Sequence, residues 1–383
     1  MSKIDELIER LCPDGVEYKA LGDVGVFLRG TSFQKKHFVD EGIPCVHYGQ
    51  LYTYYRLCAY ETKSFLGEDF ANAKGLARPG DLIIATTSEN EEDVCKAMAW
   101  LGATNVVVSN DAYIYRHTLN PKYVAYFFQS SLFQNAKKQY ITGTKVLRVS
   151  GANMAKINIP VPPMEVQEEI VRVLDSFAEL EAELEAELEA RKAQYAFYRN
   201  RLFVEECKMG QRKTLGSLCK IISSGKNKSR QQEGEYPVFG STGEIARTDT
   251  HAYEGFRILV ARVGANAGFV NAVEGKFDVS DNTLIVELDE GLNQRFAYHL
   301  LVNENLNQYA KGGGQPLITA SQLKSLDVMI PPIKRQQEIA ELLDEFESLV
   351  NNASVGLPAE IAARRKQYAY YRDKLLNFKE KVA

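Results

Sequence analysis

The longest periodic pattern of apolar residues lies in the middle of the chain. From Glu165 to about Val204 there is no proline or glycine, and three AELE units follow one another from Ala178. Alanine, leucine and glutamate are strong helix formers. The pattern predicts one helix of about forty residues, roughly 60 Å long. Apolar residues at steps of three and four predict a single stripe along it: Ile170, Val173, Phe177, Leu180, Leu184 and Leu188.

A second apolar stripe begins in the same way near the C-terminus, at Ile339, Leu342, Leu343, Phe346, Leu349 and Val350. It is interrupted where Gly356 and Pro358 oppose helix formation. Helix is predicted to resume near Ala359 and to run to about Phe378. Because a stripe on a long helix needs a long partner, we expect the two helical regions to pair antiparallel as a coiled coil that separates two globular domains. The alternative is that each helix packs only on its own domain.

The segments outside these helices alternate between strand and helix patterns. Runs rich in β-branched and aromatic residues predict strands: DLIIATTS, NVVVSNDAYIYRH, RILVARVG and NTLIVEL. Two amphipathic segments, PKYVAYFFQSSLFQNAKKQY and NQRFAYHLLVNENLNQYA, predict a helix that closes each domain. The predicted fold class is α+β, with two mixed α/β domains.

The chain repeats itself over almost its whole length. Pro162–Pro163 and Pro331–Pro332 lie 169 residues apart, and the flanking sequences match. Gln194–Tyr195 and Gln367–Tyr368 lie 173 apart. A solenoid unit spans only about 20–50 residues, so this is a duplicated domain followed by a duplicated helix. Such a pseudo-two-fold repeat suits a ligand with two similar halves, such as a split DNA site.

Composition adds one constraint and several expectations. The 383 residues carry a net charge of −4, and ten acids but one base fall between Met164 and Ala190. This acidic helical face is by default solvated, with DNA mimicry or docking of a basic partner as alternatives. Basic loops elsewhere can still neutralise phosphates. With no long apolar run, no apolar signal core and no C-x-x-C pair, we expect a cytoplasmic protein without membrane span, metal or disulfide.

The loops between predicted strands combine glycine with polar and basic side chains. Glycine lets a backbone approach a phosphate closely, and Arg, Lys, Asn and Gln can bond base edges in the major groove. Taken one by one, such residues are ordinary surface turns more often than ligand contacts. The candidate DNA contacts in the first half are Arg29, Lys35, Lys36, His47, Tyr48, Gln50, Thr87, Ser88, Asn90, Lys145 and Arg148. Those in the second half are Lys226, Lys228, Arg230, Ser241, Thr242, Arg262, Asn266, Lys311 and Gln315.

Motifs for catalysis are absent from the sequence. There is no G-x-x-x-x-G-K-[ST] phosphate loop and no G-x-S-x-G elbow. Neither Asn-Pro-Pro-Tyr nor Asp-Pro-Pro-Tyr occurs, so DNA methylation by this chain alone is not expected. The residues leave open a stand-alone pseudo-symmetric DNA-binding regulator, a coiled-coil scaffold without a DNA role, and an enzyme with a non-standard site.

Several segments together resemble the specificity subunit of type I restriction-modification enzymes. They are LCPDGVEYKALGDV, the two proline-marked helix entries IPVPPMEVQEEIVRVLDSF and IPPIKRQQEIAELLDEF, the helix ends RKAQYAFYRNRL and RRKQYAYYRDKL, and YPVFGSTGEIA with ARVGANAG. The resemblance covers essentially the full length. It implies target-recognition domains at residues 1–160 and 208–330, and conserved helices at residues 161–207 and 331–383.

The resemblance also implies a division of labour. Each recognition domain would bind one half of a bipartite site in double-stranded DNA, and the helices would set the spacing and dock two modification subunits. Restriction subunits would be added for cleavage. The chain itself would be non-catalytic and bind no cofactor, while S-adenosylmethionine, ATP and Mg²⁺ would belong to the partners.

Overall fold

The computed structural model describes residues 3–206, 210–312, 314–351 and 356–381. Its helices are α1 (Lys3–Leu11), α2 (Leu21–Val24), α3 (Tyr48–Thr53), α4 (Pro121–Gln129), α5 (Ser131–Lys138), α6 (Gly151–Met154), α7 (Met164–Glu206), α8 (Gln294–Asn303), α9 (Ala320–Lys324), α10 (Ile333–Asn351) and α11 (Gly356–Leu375). By contacts the chain divides into two units. The first unit comprises Met1–Glu183 and Ala362–Ala383, and the second comprises Leu184–Ile361. The division falls inside α7 and α11, and the domain boundaries predicted from the sequence stay a prediction.

The first unit is built on two five-stranded sheets. Its strands are β1 (Tyr18–Ala20), β2 (Gly25–Arg29), β3 (Phe38–Val39), β4 (Ile43–Val46), β5 (Cys58–Ala59), β6 (Ser64–Leu66), β7 (Leu76–Ala77), β8 (Leu82–Ala85), β9 (Thr87–Ser88), β10 (Ala97–Trp100), β11 (Val106–Val108), β12 (Ala112–His117), β13 (Leu147–Arg148) and β14 (Asn158–Pro160). The sheet orders are β2-β12-β8-β10-β5 and β3-β6-β4-β11-β7. Because β8, β10 and β11 are buried on both faces, they are continuous apolar runs and do not alternate.

The second unit repeats this plan with shorter sheets. Its strands are β15 (Gln211–Thr214), β16 (Cys219–Ser224), β17 (Tyr236–Gly240), β18 (Gly243–Thr248), β19 (Tyr253–Glu254), β20 (Arg257–Ala261), β21 (Val270–Val273), β22 (Lys276–Val279), β23 (Thr283–Leu288) and β24 (Asp327–Ile330). The orders are β16-β23-β20-β21 and β18-β17-β22-β19. The parallel pairing of β4 with β11 recurs as β17 with β22.

Two glycines show how closely the units match. A Cβ atom on Gly30 would lie 2.2 Å from the Ser109 carbonyl oxygen, and one on Gly225 would lie 2.2 Å from the Val279 carbonyl oxygen. Only glycine permits so close an approach of two backbones. The residue after each glycine follows the same path: the Thr31 amide donates to Val108 O and the Lys226 amide to Val279 O.

The double prolines lead into α7 and α10 through the same hydrogen bonds. Gln167 Nε2 donates to Pro162 O at 2.8 Å, and its Oε1 accepts from the Asn120 amide at 2.9 Å. Gln336 makes the equivalent bonds, also at 2.8 and 2.9 Å, to Pro331 O and the Asn293 amide. Both glutamines are buried. Each glutamine accepts from the backbone amide at the N-cap of the neighbouring helix, so the repeated glutamine fixes helix to domain in both units.

The long central helix is confirmed. It extends from Met164 to Glu206, against the predicted Glu165 to about Val204. Within the first unit, Phe177 stacks on Tyr371 with ring centroids 5.4 Å apart, and Arg365 Nε donates to Glu181 Oε1 at 2.7 Å. Residue numbers therefore rise along α7 while those of the contacting residues fall along α11, so the two helices are antiparallel there. The alternative, in which a helix packs on its own domain, also holds for part of α7. Val166, Ile170 and Leu174 at its start belong to the core of the first unit.

Several helix limits differ from the predicted ones. The C-terminal helix resumes at Gly356, whose φ is +74°, and ends at Leu375. Pro358 is tolerated in the first turn because no helical partner exists there for an amide hydrogen. Residues 352–355 of the predicted interruption lie outside the described residues. The helix predicted over 121–140 is split at Ser130, which caps α5 by accepting from the Phe133 amide. Its counterpart ends at Asn303, before left-handed Asn305 at φ +46°.

Candidate DNA interface

Two loops of the first unit bring five of the candidate residues together. Loop A is residues 86–95, which connect β8 to β10 and contain β9, and loop B is residues 142–148, which end in β13. Thr87 and Ser88 pair antiparallel with Arg148 and Leu147. Loop B is closed by reciprocal backbone bonds of 2.9 and 2.8 Å between Thr142 and Arg148. Thr87 and Ser88 therefore lie beside Arg148, with Asn90 and Lys145 further along the two loops.

The second unit has the same two loops. Loop A is residues 262–268 and loop B is residues 311–317. Lys311 and Leu317 close loop B with reciprocal bonds of 3.0 and 2.9 Å, and Leu317 also forms a bridge to Val263. Four candidates are thus collected on adjacent loops: Arg262, Asn266, Lys311 and Gln315. Gly313, within loop B, lies outside the described residues.

Loop B turns at a glycine in both units. Gly143 has φ +101° and Gly312 has φ +112°. A Cβ atom would lie 2.2 Å from the Val146 carbonyl oxygen in the first case and 2.9 Å from the Gln315 carbonyl oxygen in the second. A positive φ combined with a close carbonyl requires glycine. Around these turns, residues 142–146 of the first unit and residues 311–312 and 314–315 of the second are exposed.

The basic candidates are not engaged in ion pairs among the residues that the structure describes. Arg29 lies over the Tyr113 ring, with the guanidinium carbon 5.1 Å from the centroid. Across the part of the chain that the structure describes, no ion pair is formed by the basic candidates Arg29, Lys35, Lys36, Lys145, Arg148, Lys226, Lys228, Arg230, Arg262 and Lys311. On the helices, by contrast, ion pairs such as Arg191–Glu187 and Lys192–Glu189 are frequent. Unpaired cations on loops are what phosphate neutralisation requires.

The remaining candidates, apart from His47 and Gln50, lie on loops or at the start of α3 of the same two scaffolds. Lys35 and Lys36 lie on a short 3-10 turn before β3, and Lys226, Lys228 and Arg230 follow β16. Ser241 and Thr242 form the turn between β17 and β18. Tyr48 begins α3, which touches loop A because the Tyr52 hydroxyl donates to Thr87 O at 2.8 Å.

His47 and Gln50 have structural roles. They are only 9% and 7% exposed. Gln50 Nε2 donates to Ser64 Oγ at 2.7 Å, and Gln50 Oε1 accepts from the His47 amide at 2.9 Å. His47 Nδ1 accepts from the Gly49 amide, which caps α3. Burial, with Lys35 nearby, lowers the pKa of the His47 imidazole. We therefore leave both residues out of the candidate interface.

Phe269, which directly follows loop A of the second unit, is exposed but is not among the candidates predicted from the sequence. Its side chain is 59% exposed and it follows Asn266 and Gly268 closely. The sequence singles out this segment, but only its polar residues are among the candidates. Exposed aromatic rings can stack on bases or insert between base steps, so the aromatic residue beside the glycine was the available signal.

A histidine and two acids cluster where α8 meets α10. His299 Nε2 donates to Asp344 Oδ1 at 2.7 Å, and Tyr195 donates to His299 Nδ1 at 3.1 Å. Glu347 completes a group with metal-ligand chemistry, the one such group in the described parts of the chain. Arg295, however, bonds both acids, and its guanidinium already supplies a cation there. In the first unit, Lys122 and Tyr126 bond Asp175 in the same arrangement. The cluster is thus a duplicated helix contact.

Each unit also has an aromatic trio on its helices, with an exposed outer ring. In the first unit Tyr371 stacks on Phe177 and meets Tyr370 edge-on. In the second, Tyr198 stacks on Phe346 and meets Phe197 edge-on. The outer members, Tyr370 and Phe197, are each 61% exposed.

Comparisons with known proteins agree with this geometry. The family model "Type I restriction modification DNA specificity domain" matches residues 13–190 and 210–363, so the chain belongs to this family. The specificity subunit of the type I restriction enzyme EcoprrI of Escherichia coli is 38% identical over 205 residues, which cover 50% of this chain and 51% of that protein. The specificity subunit of EcoR124I/EcoR124II, also of Escherichia coli, is 31% identical, over 60% of this chain and 65% of its own length.

Thus the matches span about half to two thirds of these relatives. Among solved structures, the S subunit of a type I restriction-modification system from M. genitalium matches with a TM-score of 0.53 at 14% identity, covering 94% of this chain and 96% of that one. A chain from a study of complex assembly and conformational transition of the type I R-M system matches at 0.61 and 17%, covering 95% and 98%. Both likenesses concern the fold. In addition, the described helices include none that could cross a membrane.

Proposed function

We propose that this chain is the DNA-specificity subunit of a type I restriction-modification complex and that each unit recognises one half of a bipartite site through its loops A and B. The observation that carries the proposal is the duplication of this loop pair on two matching scaffolds. One recognition surface per unit is what a site made of two half-sites requires.

The chemistry of the loops supports this assignment. Arg262, Asn266 and Gln315 can form bidentate bonds with base edges, whereas Lys145 and Lys311 are suited to phosphates. Replacing a lysine that binds a phosphate should weaken binding to all sequences alike and lower the salt dependence by about one unit. Replacing a residue that contacts a base should change preference at one position only.

We also propose that two modification subunits bind the chain, one at each aromatic trio. An exposed aromatic ring flanked by a second ring is typical of a binding hot spot. Because the trio occurs once per unit, one kind of partner could bind twice. Methyl transfer would then belong to the partners, with S-adenosylmethionine, and cleavage to restriction subunits with ATP and Mg²⁺. The chain would be non-catalytic and cytoplasmic.

Native mass spectrometry of the reconstituted complex tests the docking proposal. Phe197→Ala and Tyr370→Ala should each remove one modification subunit, and the double variant should remove both. These side chains are mostly exposed, so folding should be preserved. Tyr60→Ala, at a side chain that is 60% exposed but lies off the helices, is the matched control. Unchanged stoichiometry in the double variant would contradict this site.

The central helix is proposed to set the distance between half-sites. One AELE unit of four residues spans about 6 Å and turns the helix about 40° beyond one full turn. The rise of B-DNA makes 6 Å at most roughly two base pairs. Deleting Ala178–Glu181 should therefore shorten the spacer by about one base pair, since bending absorbs the rest. Methylated sites mapped in a host would show this, and an unchanged spacer would reject the helix as the determinant.

Purified components distinguish this function from its main alternative. Alone, the chain should show neither methyl transfer nor nuclease activity, and with the modification subunit it should direct methylation to one split sequence. Turnover by the chain alone would contradict the proposal. Sequence-selective binding by the chain alone, unaffected by the modification subunit, would favour a stand-alone regulator.

A further inference from the structure

Loop A ends at a left-handed residue in both units. Cys95 has φ +69° and Gly268 has φ +93°. The Cys95 amide donates to Ala85 O at 2.9 Å, and the Gly268 amide donates to Ala261 O at 2.8 Å. The two residues are therefore equivalent, and both are buried. A left-handed conformation costs a cysteine roughly 1–2 kcal/mol that a glycine does not incur. Something in the first unit must hold Cys95 in this geometry.

A side chain from outside the loop holds the carbonyl before this residue in both units. Lys137 on α5 is 1% exposed, and its Nζ donates to Val94 O at 2.7 Å and to Glu92 O at 3.0 Å. In the second unit, Asn307 Nδ2 donates to Ala267 O at 2.9 Å. Val94 and Ala267 occupy the same position, one residue before the left-handed one. Two different side chains thus make the same contact.

The contact made by Lys137 has an energetic cost, because it buries an ammonium group. Burying an ammonium is unfavourable unless it is fully hydrogen-bonded, and burial lowers the pKa of this lysine although Cys95 and the acids of loop A oppose that shift. Its bonds go to two backbone carbonyls of one loop, so its position is coupled to the conformation of that loop. Lys137 is almost fully buried, so its contacts are with the loop and not with a ligand.

We propose that Lys137 and Asn307 are positioning residues for DNA specificity, each fixing the loop A that recognises one half-site. The inference rests on the proposed function, since it assigns the loops to DNA. Lys137 acts from inside the fold by holding the carbonyls of Glu92 and Val94, which fixes the backbone from Asn90 to Cys95. Asn307 holds the shorter loop A of the second unit by donating to the Ala267 carbonyl oxygen.

Selection from a double-stranded DNA library with two randomised half-sites tests this, using the chain in complex with the modification subunit. Arg148→Ala and Arg262→Ala first assign each half-site to a unit. Lys137→Met should then reduce discrimination at the half-site of the first unit by about tenfold, which corresponds to roughly 1.4 kcal/mol, and leave the other unchanged. Asn307→Asp, which preserves shape but cannot donate, should affect the other half-site alone and by less, because Asn307 is exposed.

The controls are the neighbouring exposed residues, Lys138→Met and Gln308→Glu, which should change neither half-site. Equal loss at both half-sites, or full discrimination in both variants, would overturn the inference. If Lys137→Met does not fold, Asn307→Asp decides alone, since its substitution is isosteric and exposed. If the unmodified complex selects no split sequence, the proposed function fails instead, which is a different result.

Discussion

The two loops A differ far more than the scaffolds that carry them. Residues 86–94 separate Ala85 from Cys95 in the first unit, whereas only residues 262–267 separate Ala261 from Gly268 in the second. The first loop carries four acids, Glu89, Glu91, Glu92 and Asp93, and is held by a buried lysine. The second carries Arg262, Asn266 and no acid. The same framework thus presents two chemically different surfaces, which is what two different half-sites would need.

The framework is the part that duplication has preserved. Gln167 and Gln336 make the same pair of hydrogen bonds, and Gly30 and Gly225 permit the same backbone approach. These contacts are backbone-directed and leave no tolerance for change. Loop A shares its constraint between the two units at its end, where Cys95 and Gly268 must turn, while its length and composition differ.

The largest effect should come from breaking the framework in one unit. Gly30→Ala would place a methyl group 2.2 Å from a carbonyl oxygen. We expect it to destabilise the first unit by about 2–3 kcal/mol. Trp100 is the only tryptophan of the chain and is buried in the first unit, so its fluorescence during denaturant unfolding reports the change. Gly225→Ala should produce the same loss in the second unit, seen by hydrogen exchange of its peptides.

Gly67→Ala is the matched control for both variants. Gly67 has φ −69°, and no neighbouring atom lies within 4 Å of the position that a Cβ atom would take there. Its substitution should therefore stay within about 0.5 kcal/mol of the unmodified chain. If Gly30→Ala were equally harmless, the close approach would not be a requirement of the framework.

A smaller effect should come from pH, because the units differ in their buried histidines. In the first unit, burial lowers the pKa of His117 to about 4, while Asp81 acts in the opposite direction. The folded state therefore disfavours the protonated form. The stability that neutral His117 contributes to the folded state is fully present above the ordinary histidine pKa of about 6.5. It is lost as the pH falls from there towards 4. The free energy of unfolding that Trp100 fluorescence reports should fall over this range.

His117→Gln should reduce that pH dependence and leave the part contributed by His47, whose pKa burial also lowers. His299→Gln is the comparison in the second unit: burial also lowers the pKa of His299, but its hydrogen bond to Asp344 opposes the shift. Replacing His299 should leave the pH dependence of the Trp100 transition unchanged. A flattening by His299→Gln equal to that by His117→Gln would show that the two units do not respond separately.

The smallest effect should come from making the two loop ends alike. Cys95→Gly relieves the left-handed strain but removes a buried side chain, and the two contributions, each of about 1–2 kcal/mol, should nearly cancel. We expect a change in unfolding free energy of less than about 1 kcal/mol by Trp100 fluorescence. A side chain added at the equivalent position, Gly268→Ala, would bring a Cβ atom within 2.4 Å of the Asn307 amide nitrogen. It should lower the free energy of unfolding by more than Cys95→Gly.

Much of the framework could be predicted from the sequence, because its signals are local. The double prolines and the apolar stripe of α7 each lie within one segment, whereas Gly356 and Pro358, predicted to interrupt the C-terminal helix, lie in the first turn of α11. Most of the candidates predicted to lie on loops do so, but Tyr48 and Gln50 lie in helix α3. What could not be predicted depends on contacts between distant residues: Lys137 meets Val94 across 43 positions, and the burial of His47 and Gln50 depends on Ser64 and the sheet around it. Polar residues next to glycine look alike in sequence whether they face solvent or cap a helix.

The central claim is that one unit recognises one half-site, and genome-wide mapping of methylated sites tests it most directly. A host carrying the modification subunit would receive the unmodified chain, Arg148→Ala or Arg262→Ala. The account predicts one split sequence for the unmodified chain. Arg148→Ala should relax one half, and Arg262→Ala should relax the other, each at a cost of about 1–3 kcal/mol. Relaxation of both halves by either variant would contradict the assignment of one half-site to each unit.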